Sequence, residues 1–238
     1  MYETTTSTLL GSGTFLILFL VSFGITLIAQ LLVKSRYNKY KQIANKVGMT
    51  GEQVARNILN NNGLQNVQIL QIDRELGDNY NPSNKTVNLS PAIFNGSSIA
   101  SLAVAAHECG HAIQDKENYS FMRLRMKLIP VLNAASTLSY FSILIGFLAG
   151  YAMMLEIAIV VQFITLLFEL VTLPVEFNAS DRALKQLKSF NLFSNDEVGG
   201  ATSMLKACAL TYVGALLTTL LQVLRLVLML QSGRSRRR

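Results

Sequence analysis

The chain has 238 residues, of which half are hydrophobic and only 15% are charged. Its mean hydropathy of +0.35 is too high for an ordinary soluble enzyme and indicates several membrane spans. The net charge of +7 comes from lysines and arginines that are spread along the chain, which argues against a nucleic-acid-binding module. The two cysteines are too few for a disulfide framework.

The first predicted element is a membrane span over residues 9–33. This segment is apolar, carries no charge and is long enough to cross a bilayer as a helix. A cleavable signal peptide is the alternative, but no basic segment precedes the run and the basic flank 34–36 follows it. Because basic residues cluster just after the span, the positive-inside rule predicts that this side faces the cytoplasm. The cluster consists of Lys34, Arg36, Lys39, Lys41 and Lys46.

Residues 34–127 form the predicted catalytic region, which has a small α+β character. Residues 50–53 fit a capping box and residues 61–63 fit a helix stop, and together they predict a helix over about 51–61. Two short runs of strand-forming residues on either side of a turn-rich loop predict two strands. The strands are expected over 67–72 and 86–89, and the loop over 77–85.

The second of these strands lies just before a helix predicted over about 98–115, with Ser97 or Ser98 as its N-cap. An exposed edge strand in this place binds an extended peptide by adding it to the sheet, which lays a scissile bond across a neighbouring metal. The alternative is an edge strand with a structural role only. The sequence leaves both interpretations open.

This helix carries the motif H-E-x-x-H at residues 107–111. His107 and His111 are at i and i+4, so their imidazoles share one helix face at a spacing that suits one zinc ion. Glu108 lies beside that face, where it can serve as a general base toward a water activated by zinc. Both histidines of the chain are in the motif, which argues against a chance match. Cys109 points away from the ligand face and is predicted to be a packing residue.

A transmembrane hairpin is predicted over residues 128–173. Two apolar runs, each long enough to span, are joined by a reversal at Gly150-Tyr151. Such a hairpin crosses the membrane twice and brings the chain back to the side on which the hairpin began. The chain after it is therefore expected on the side of the motif helix.

Residues 174–206 follow the hairpin and are predicted to begin with a polar helix running to about Leu187. Catalytic zinc takes three protein ligands, and the chain has no third histidine. Glu176 is the best candidate for the third ligand, which would make a His-His-Glu site. The alternative is a carboxylate at a helix N-terminus that the helix dipole stabilises. Spacing alone leaves both interpretations open.

A fourth apolar segment covers residues 207–231 and precedes a basic tail at 232–238. A full span would carry the tail outside, against the positive-inside rule. The alternative is an interfacial helix that holds Arg225 and the tail on anionic lipid. The length of the apolar run favours a span. The predicted fold class is thus a mainly α, polytopic membrane protein with three or four transmembrane helices and a small α+β, zincin-like catalytic region.

The predicted reaction is metal-assisted hydrolysis of a peptide bond in a protein or peptide substrate. One Zn²⁺ per chain activates water and the carbonyl, and Glu108 takes the proton of the water and passes it to the leaving amine. A further donor to the oxyanion is expected from Tyr80, Asn79 or Tyr119, among which the sequence does not choose. The sequence does not determine the oligomeric state.

Two other protein classes share part of this pattern. Glu108 and His111 also form an E-x-x-H element of di-iron carboxylate bundles, but those proteins need a second such element, which this sequence lacks. The second class is a non-catalytic membrane scaffold or chaperone with a structural metal site. The complete set of ligands and base argues against it.

The chain resembles the YugP-type family of integral membrane neutral zinc metallopeptidases nearly from end to end. The resemblance rests on the N-terminal span and on the blocks D-N-Y-N-P-S-N-K-T-V-N-L-S, V-A-A-H-E-C-G-H-A-I-Q and L-P-V-E-F-N-A-S-D-R-A-L. The last block is also similar to the E-F-x-A-D element of HtpX-type membrane peptidases, in which the glutamate is the third zinc ligand. The resemblance therefore implies that Glu176 is a ligand.

One position departs from the HtpX-type element. Ser180 stands where that element has its aspartate, and Asp181 follows one residue later as the candidate for supporting a zinc ligand. Because such families are bacterial, the resemblance implies a multi-pass protein of the bacterial plasma membrane, and the basic cluster places the site on the cytoplasmic side. A part in protein quality control is a further expectation.

Overall fold

The computed structural model describes residues 2–149, 151–192 and 195–235, with side chains over 13–14, 16–139, 141, 153–192 and 197–231. Four long helices dominate the described chain: α1 Tyr2–Lys41, α5 Ser120–Ala149, α6 Tyr151–Ser189 and α7 Asn195–Ser235. The shorter elements are α2 Gly51–Asn61, β1 Gln68–Gln71, β2 Asn79–Asn81, β3 Thr86–Leu89, α3 Pro91–Phe94 and α4 Ile99–Lys116. The predicted fold class, mainly α with a small sheet, is confirmed.

Three segments of the described chain are long and apolar enough to cross a membrane: Leu16–Lys41, Met153–Ser189 and Glu197–Gln231. Large apolar side chains on them are exposed, as at Phe19 and Phe163, each 52% exposed. Such surfaces require lipid or another apolar partner. In the predicted span at 128–150, the side chains from 142 onward lie outside the described residues. Gly150 lies outside them as well, and with it the predicted reversal.

The contacts divide the chain into two compact units. The first contains α1 as far as Ala29, residues Leu124–Val171 and α7 from Tyr212 onward. The second contains Gln30–Arg123 and Thr172–Thr211, and so includes the sheet, α2, α3, α4 and one end of each of the four long helices. All of the residues predicted for the catalytic site, from Asn79 to Asp181, belong to the second unit.

The sheet of the second unit has the strand order β1-β3-β2, with β1 parallel and β2 antiparallel to β3. The predicted edge position of the strand at 86–89 is therefore wrong, because β3 is central. The second edge is β2, which forms inside the predicted turn-rich loop. A tight reversal brings it back onto β3: Asn81 Oδ1 accepts from the N–H of Ser83 at 2.9 Å, and Lys85 has a φ of 56°. Tyr80 then pairs with Val87 and is buried.

The helices α2 and α4 begin where their capping residues predict. Thr50 Oγ1 accepts from the N–H of Gln53 at 3.3 Å, and the Gln53 side chain accepts from the N–H of Thr50 at 3.0 Å, which completes the capping box. Ser98 is the N-cap of α4 and accepts from the N–H of Ser101 at 3.1 Å. The helix α2 packs its buried face, which includes Ile58, against α4.

The helix α6 runs without interruption from Tyr151 to Ser189 and contains Pro174 in its interior. The prediction that a new helix begins near residue 174 is wrong. A proline removes one main-chain hydrogen bond, but long apolar helices tolerate it where packing supports both sides. As a result, Glu176 lies in the middle of a helix, and the alternative of a carboxylate at a helix N-terminus does not apply.

Candidate metal centre

The two histidines of α4 face one carboxylate of α6. The rings of His107 and His111 have centroids 4.8 Å apart and are nearly perpendicular, at 83°. The Nε2 atom of His107 lies 3.3 Å from Oε2 of Glu176, and the Nε2 atom of His111 lies 3.5 Å from the same oxygen. The i and i+4 spacing on α4 thus brings both Nε2 atoms to one point, as the sequence predicts.

The donor set of this cluster fits zinc. Its nitrogen and oxygen atoms all lie within 4.8 Å of one another. Glu176 is only 2% exposed, and a buried carboxylate needs a cation or several donors to offset the loss of hydration. Two neutral imidazole nitrogens and one carboxylate are a common protein ligand set of catalytic zinc. Within the described residues, this is the one group of three or more His, Cys, Asp and Glu with such geometry.

A close approach of α4 and α6 makes the cluster possible. A Cβ atom at Gly110 would lie 2.5 Å from the main-chain oxygen of Ala179, closer than real Cβ atoms come. Ala179 and Ala183 are fully buried on the facing side of α6. The second variable position of the motif, residue 110, therefore has to be glycine here, because any side chain would separate α4 from α6.

Gln114 holds His111 in the orientation that a ligand requires. Its Oε1 lies 3.0 Å from Nδ1 of His111, and its Nε2 donates to the main-chain oxygen of Val175 at 2.8 Å and to Oδ1 of Asn178 at 2.9 Å. Since both acceptors require the amide nitrogen, Oε1 must face the histidine and accept from Nδ1–H. The lone pair of Nε2 is then free for a metal.

Ser180 contacts His107 as Gln114 contacts His111: the Oγ atom of Ser180 lies 3.2 Å from Nδ1 of His107. The prediction that Asp181 supports a ligand is not met by the structure. Its side chain is 57% exposed and pairs with Lys185 at 2.6 Å. The two residues are neighbours on a helix, so they point in directions about 100° apart, and only Ser180 faces α4.

Glu108 is buried beside this cluster, at 7% exposure. The pKa of its carboxyl group is raised to about 7, with burial as the largest cause; the charges of Glu176 and Asp78 also raise this pKa, while His107 and the main-chain N–H of Tyr80 lower it. Its pKa therefore lies near neutrality, where a carboxyl group both takes up and releases protons.

The side chains predicted as oxyanion donors contact other residues of the structure. The hydroxyl of Tyr80 donates to Oδ2 of Asp115 at 2.7 Å, and Lys85 bonds to the same oxygen. The Asn79 side chain donates to the main-chain oxygen of Gly77 at 2.7 Å and accepts from Asn88. The ring of Tyr119 packs against Phe121. The structure brings the main chain of Tyr80, rather than its hydroxyl, to the predicted base.

Cys109 has the packing role that its place on α4 predicts. It is fully buried and unpaired, and its Sγ lies 3.6 Å from the main-chain oxygen of Ala55 on α2. Burial raises the pKa of its thiol far above the usual value, so the thiol stays protonated. A protonated thiol directed at α2 is no ligand for the cluster.

Sequence reasoning missed Gln114, Ser180 and Gly110. Gln114 follows His111 by three residues and Ser180 follows Glu176 by four, which places each on the face of its helix that carries a ligand. That spacing was a usable signal. The role of Gly110 depends on the approach of a distant helix and has no local signal.

Comparison with known proteins gives the family. A family model described as "Putative neutral zinc metallopeptidase" matches residues 15–231, nearly the whole chain. The chain belongs to the neutral zinc metallopeptidase family. A relative in this family, "Putative membrane protease YugP" of Bacillus subtilis (strain 168), is 39% identical over 220 residues, which cover 92% of this chain and 98% of the relative. No solved structure matches the chain.

This membership confirms the resemblance that the sequence motifs indicate. The chain is a membrane zinc metallopeptidase of this family, and its residues His107, His111 and Glu176 form a cluster that could hold a metal ion. Neither the family description nor the name of the Bacillus relative mentions protein quality control.

Proposed function

We propose that the chain hydrolyses peptide bonds in protein or peptide substrates, with one Zn²⁺ held by His107, His111 and Glu176. The observation that carries the proposal is the convergence of two Nε2 atoms on one buried oxygen of Glu176, at 3.3 and 3.5 Å. The hydrogen bonds of Gln114 and Ser180 to the opposite ring nitrogens support it, because they leave both Nε2 atoms available.

Zinc, when bound, supplies a Lewis acid that polarises the scissile carbonyl and makes a water molecule more acidic. Glu108 accepts the proton of the attacking water on its carboxylate and then donates it to the nitrogen of the leaving amine. A pKa near neutrality suits both steps. The main-chain N–H of Tyr80 favours the charged form of Glu108, which is the form that accepts the proton in the first step.

The strand β2 is the proposed binding strand for substrate. It pairs with β3 on one side only, and the main-chain N–H of Tyr80 on it interacts with Glu108. An extended peptide that adds to the free edge of β2 would therefore pass the base. This proposal transfers the role of the edge strand from 86–89, where the sequence suggested it, to residues 79–81.

We propose that the site works at the cytoplasmic face of the bacterial plasma membrane. The basic cluster from Lys34 to Lys46 follows the apolar run 9–33, begins within the last part of the first candidate span, Leu16–Lys41, and belongs to the second unit, as the site does. The positive-inside rule assigns such a cluster to the cytoplasm. The Bacillus relative is named as a membrane protease, in keeping with this location.

The test compares the wild-type chain with Glu108→Gln, both purified in detergent, for cleavage of casein and for zinc content. We expect Glu108→Gln to retain about one zinc per chain, because the ligands are unchanged, and to lose cleavage by a factor of about 10² to 10⁴. Glu75→Gln, an exposed position with the same chemical change, is the matched control and should cleave normally.

Equal behaviour of wild type and Glu108→Gln, with zinc bound to both, would favour the scaffold with a structural metal site. Loss of zinc from Glu108→Gln alone would instead make Glu108 a ligand. Either result contradicts the proposed mechanism.

A further inference from the structure

Arg225 lies inside the third candidate span, Glu197–Gln231. Its Nε atom is buried without a hydrogen-bond acceptor, and no carboxylate pairs with its guanidinium among the described residues. An arginine within a span is costly unless it pairs with an acceptor or faces a cavity. The residue is therefore a candidate for binding something that the chain itself does not supply.

A cavity of about 250 Å³ lies between α1 and α7 of the first unit, with Arg225 in its wall. Phe19 and Phe23 line one side, one helical turn apart, and are 52% and 58% exposed, so the cavity is open to the lipid-facing surface of α1. Gln222 lies one turn from Arg225 on α7 and lines the cavity with it.

The free polar groups of this cavity are donors. The Oε1 atom of Gln222 already accepts from Gln162, which leaves the amide nitrogen of Gln222 to donate. The hydroxyls in the wall have main-chain acceptors: Ser22 donates to the oxygen of Leu18 at 2.8 Å, and Thr218 to the oxygen of Ser22 at 3.4 Å. A guanidinium and an amide N–H beside an apolar wall form a site for an anion with an apolar tail.

The depth of Arg225 suits the headgroup of a lipid. The residue precedes Gln231, the end of the candidate span, by six residues, or about 9 Å of helix. A long arginine side chain reaches from that depth to the membrane interface, where lipid phosphates lie. We propose that this cavity binds the phosphodiester of an anionic membrane phospholipid through Arg225 and Gln222, with an acyl chain along Phe19 and Phe23.

The test measures the binding of phosphatidylglycerol and of phosphatidylcholine to the full chain in detergent micelles, by native mass spectrometry and by titration with a fluorescent lipid. We expect phosphatidylglycerol to bind at a stoichiometry near one, and Arg225→Gln to weaken that binding by about tenfold, since a charge-assisted bond is lost. The matched control is Arg36→Gln, which removes the same charge from α1 outside the cavity and should change affinity by less than about threefold.

A second variant keeps the positive charge of Arg225 and fills the cavity with a larger side chain. Thr218→Phe is expected to exclude the lipid while leaving Arg225 in place. Inorganic phosphate should not compete, because the apolar wall needs a tail. The proposal is overturned if Arg225→Gln and Arg36→Gln lose the same affinity, if Thr218→Phe still binds phosphatidylglycerol like the wild type, or if phosphatidylcholine binds equally well. Zinc content is independent of all three variants, so the result does not depend on the proposed function.

Discussion

Gln114 is the residue on which the orientation of His111 depends. Its buried amide links three groups, the Nδ1 of His111, the main-chain oxygen of Val175 and Oδ1 of Asn178. Asn178 in turn accepts from Nε of Arg182 at 2.7 Å, and Arg182 pairs with Glu117 at 2.7 Å. Through these polar contacts, residues of α6 position His111, the proposed zinc ligand on α4.

The first prediction concerns this link. Gln114→Met keeps the length of the side chain but removes the acceptor for Nδ1–H, so the ring of His111 is no longer fixed. We expect zinc affinity to fall by about 10- to 100-fold, the usual effect of removing a group that orients a metal ligand. Competition with a chromophoric chelator measures it, and Gln65→Met, an exposed position, is the control.

Unchanged zinc affinity in Gln114→Met would show that packing alone orients His111. A loss of the same size in Gln65→Met would show that the effect is not specific to the site.

At the residue scale, the sequence predicts the ligands better than their supports. His107, His111 and Glu108 follow from a local spacing on one helix, and the family resemblance adds Glu176. The spacing of Ser180 and Gln114 from the ligands places them on the ligand-bearing helix faces, but their contacts with the histidines depend on the packing of α4 against α6, which no local pattern encodes. The prediction failed at Asp181, because the family resemblance points to the residue after Ser180. Neighbouring residues on a helix lie on different faces, and only Ser180 faces α4.

The approach of α4 to α6 is the decisive contact at the scale of elements. Gly110 faces the main chain of Ala179, with fully buried alanines on the side of α6. Small residues at a helix crossing let the two main chains come close enough for both histidines to reach one carboxylate. The ligand distances therefore depend on the absence of a side chain at residue 110.

The second prediction tests this crossing. Gly110→Ala would normally stabilise a helix by up to about 1 kcal/mol, because alanine has the higher helix propensity. Here the new Cβ would lie 2.5 Å from the oxygen of Ala179, so we expect destabilisation by about 1–3 kcal/mol and weaker zinc binding. Gly199→Ala on α7, where a Cβ meets nothing within 4 Å, is the matched control.

Thermal unfolding in detergent and zinc titration measure both effects. If Gly110→Ala unfolds at the temperature of Gly199→Ala and binds zinc equally well, the helices do not cross as closely as the structure shows.

Local signals predict most elements and miss two arrangements. The capping box at Thr50 and the N-cap at Ser98 locate their helices to within a residue. The three-residue strand β2 is too short and too rich in turn residues to predict, because its pairing with β3 is what makes it a strand. The sequence predicts a new helix that begins near residue 174, because local preference cannot show that packing keeps α6 intact through Pro174.

At the scale of the whole molecule, the proposed metal centre joins parts of the chain that are far apart in sequence. His107 and Glu176 are 69 residues apart, and α5 and the larger part of α6 lie between them. Composition predicts the membrane helices, because length and apolarity suffice. It cannot predict which distant helix completes the site, and only the family resemblance did so.

The third prediction is that zinc stabilises the fold. A ligand that binds only the folded chain adds about 4 kcal/mol when its free concentration is 1,000 times its Kd. We expect chelation with EDTA to lower the thermal unfolding temperature and to abolish casein cleavage, and added Zn²⁺ to restore both. His111→Ala, which lacks a ligand, should show no such dependence on zinc.

A wild-type chain that unfolds at the same temperature with and without bound zinc would mean that the metal does not bridge α4 and α6.

The central claim is that two histidines and Glu176 hold one zinc ion. X-ray absorption at the zinc edge, on the wild type and on Glu176→Ala, tests it most directly. The account predicts two imidazole nitrogens and oxygen ligands in the wild type, at about 2.0–2.2 Å, and little or no zinc in Glu176→Ala. A sulfur ligand at about 2.3 Å, a single imidazole, or full zinc occupancy in Glu176→Ala would contradict the account.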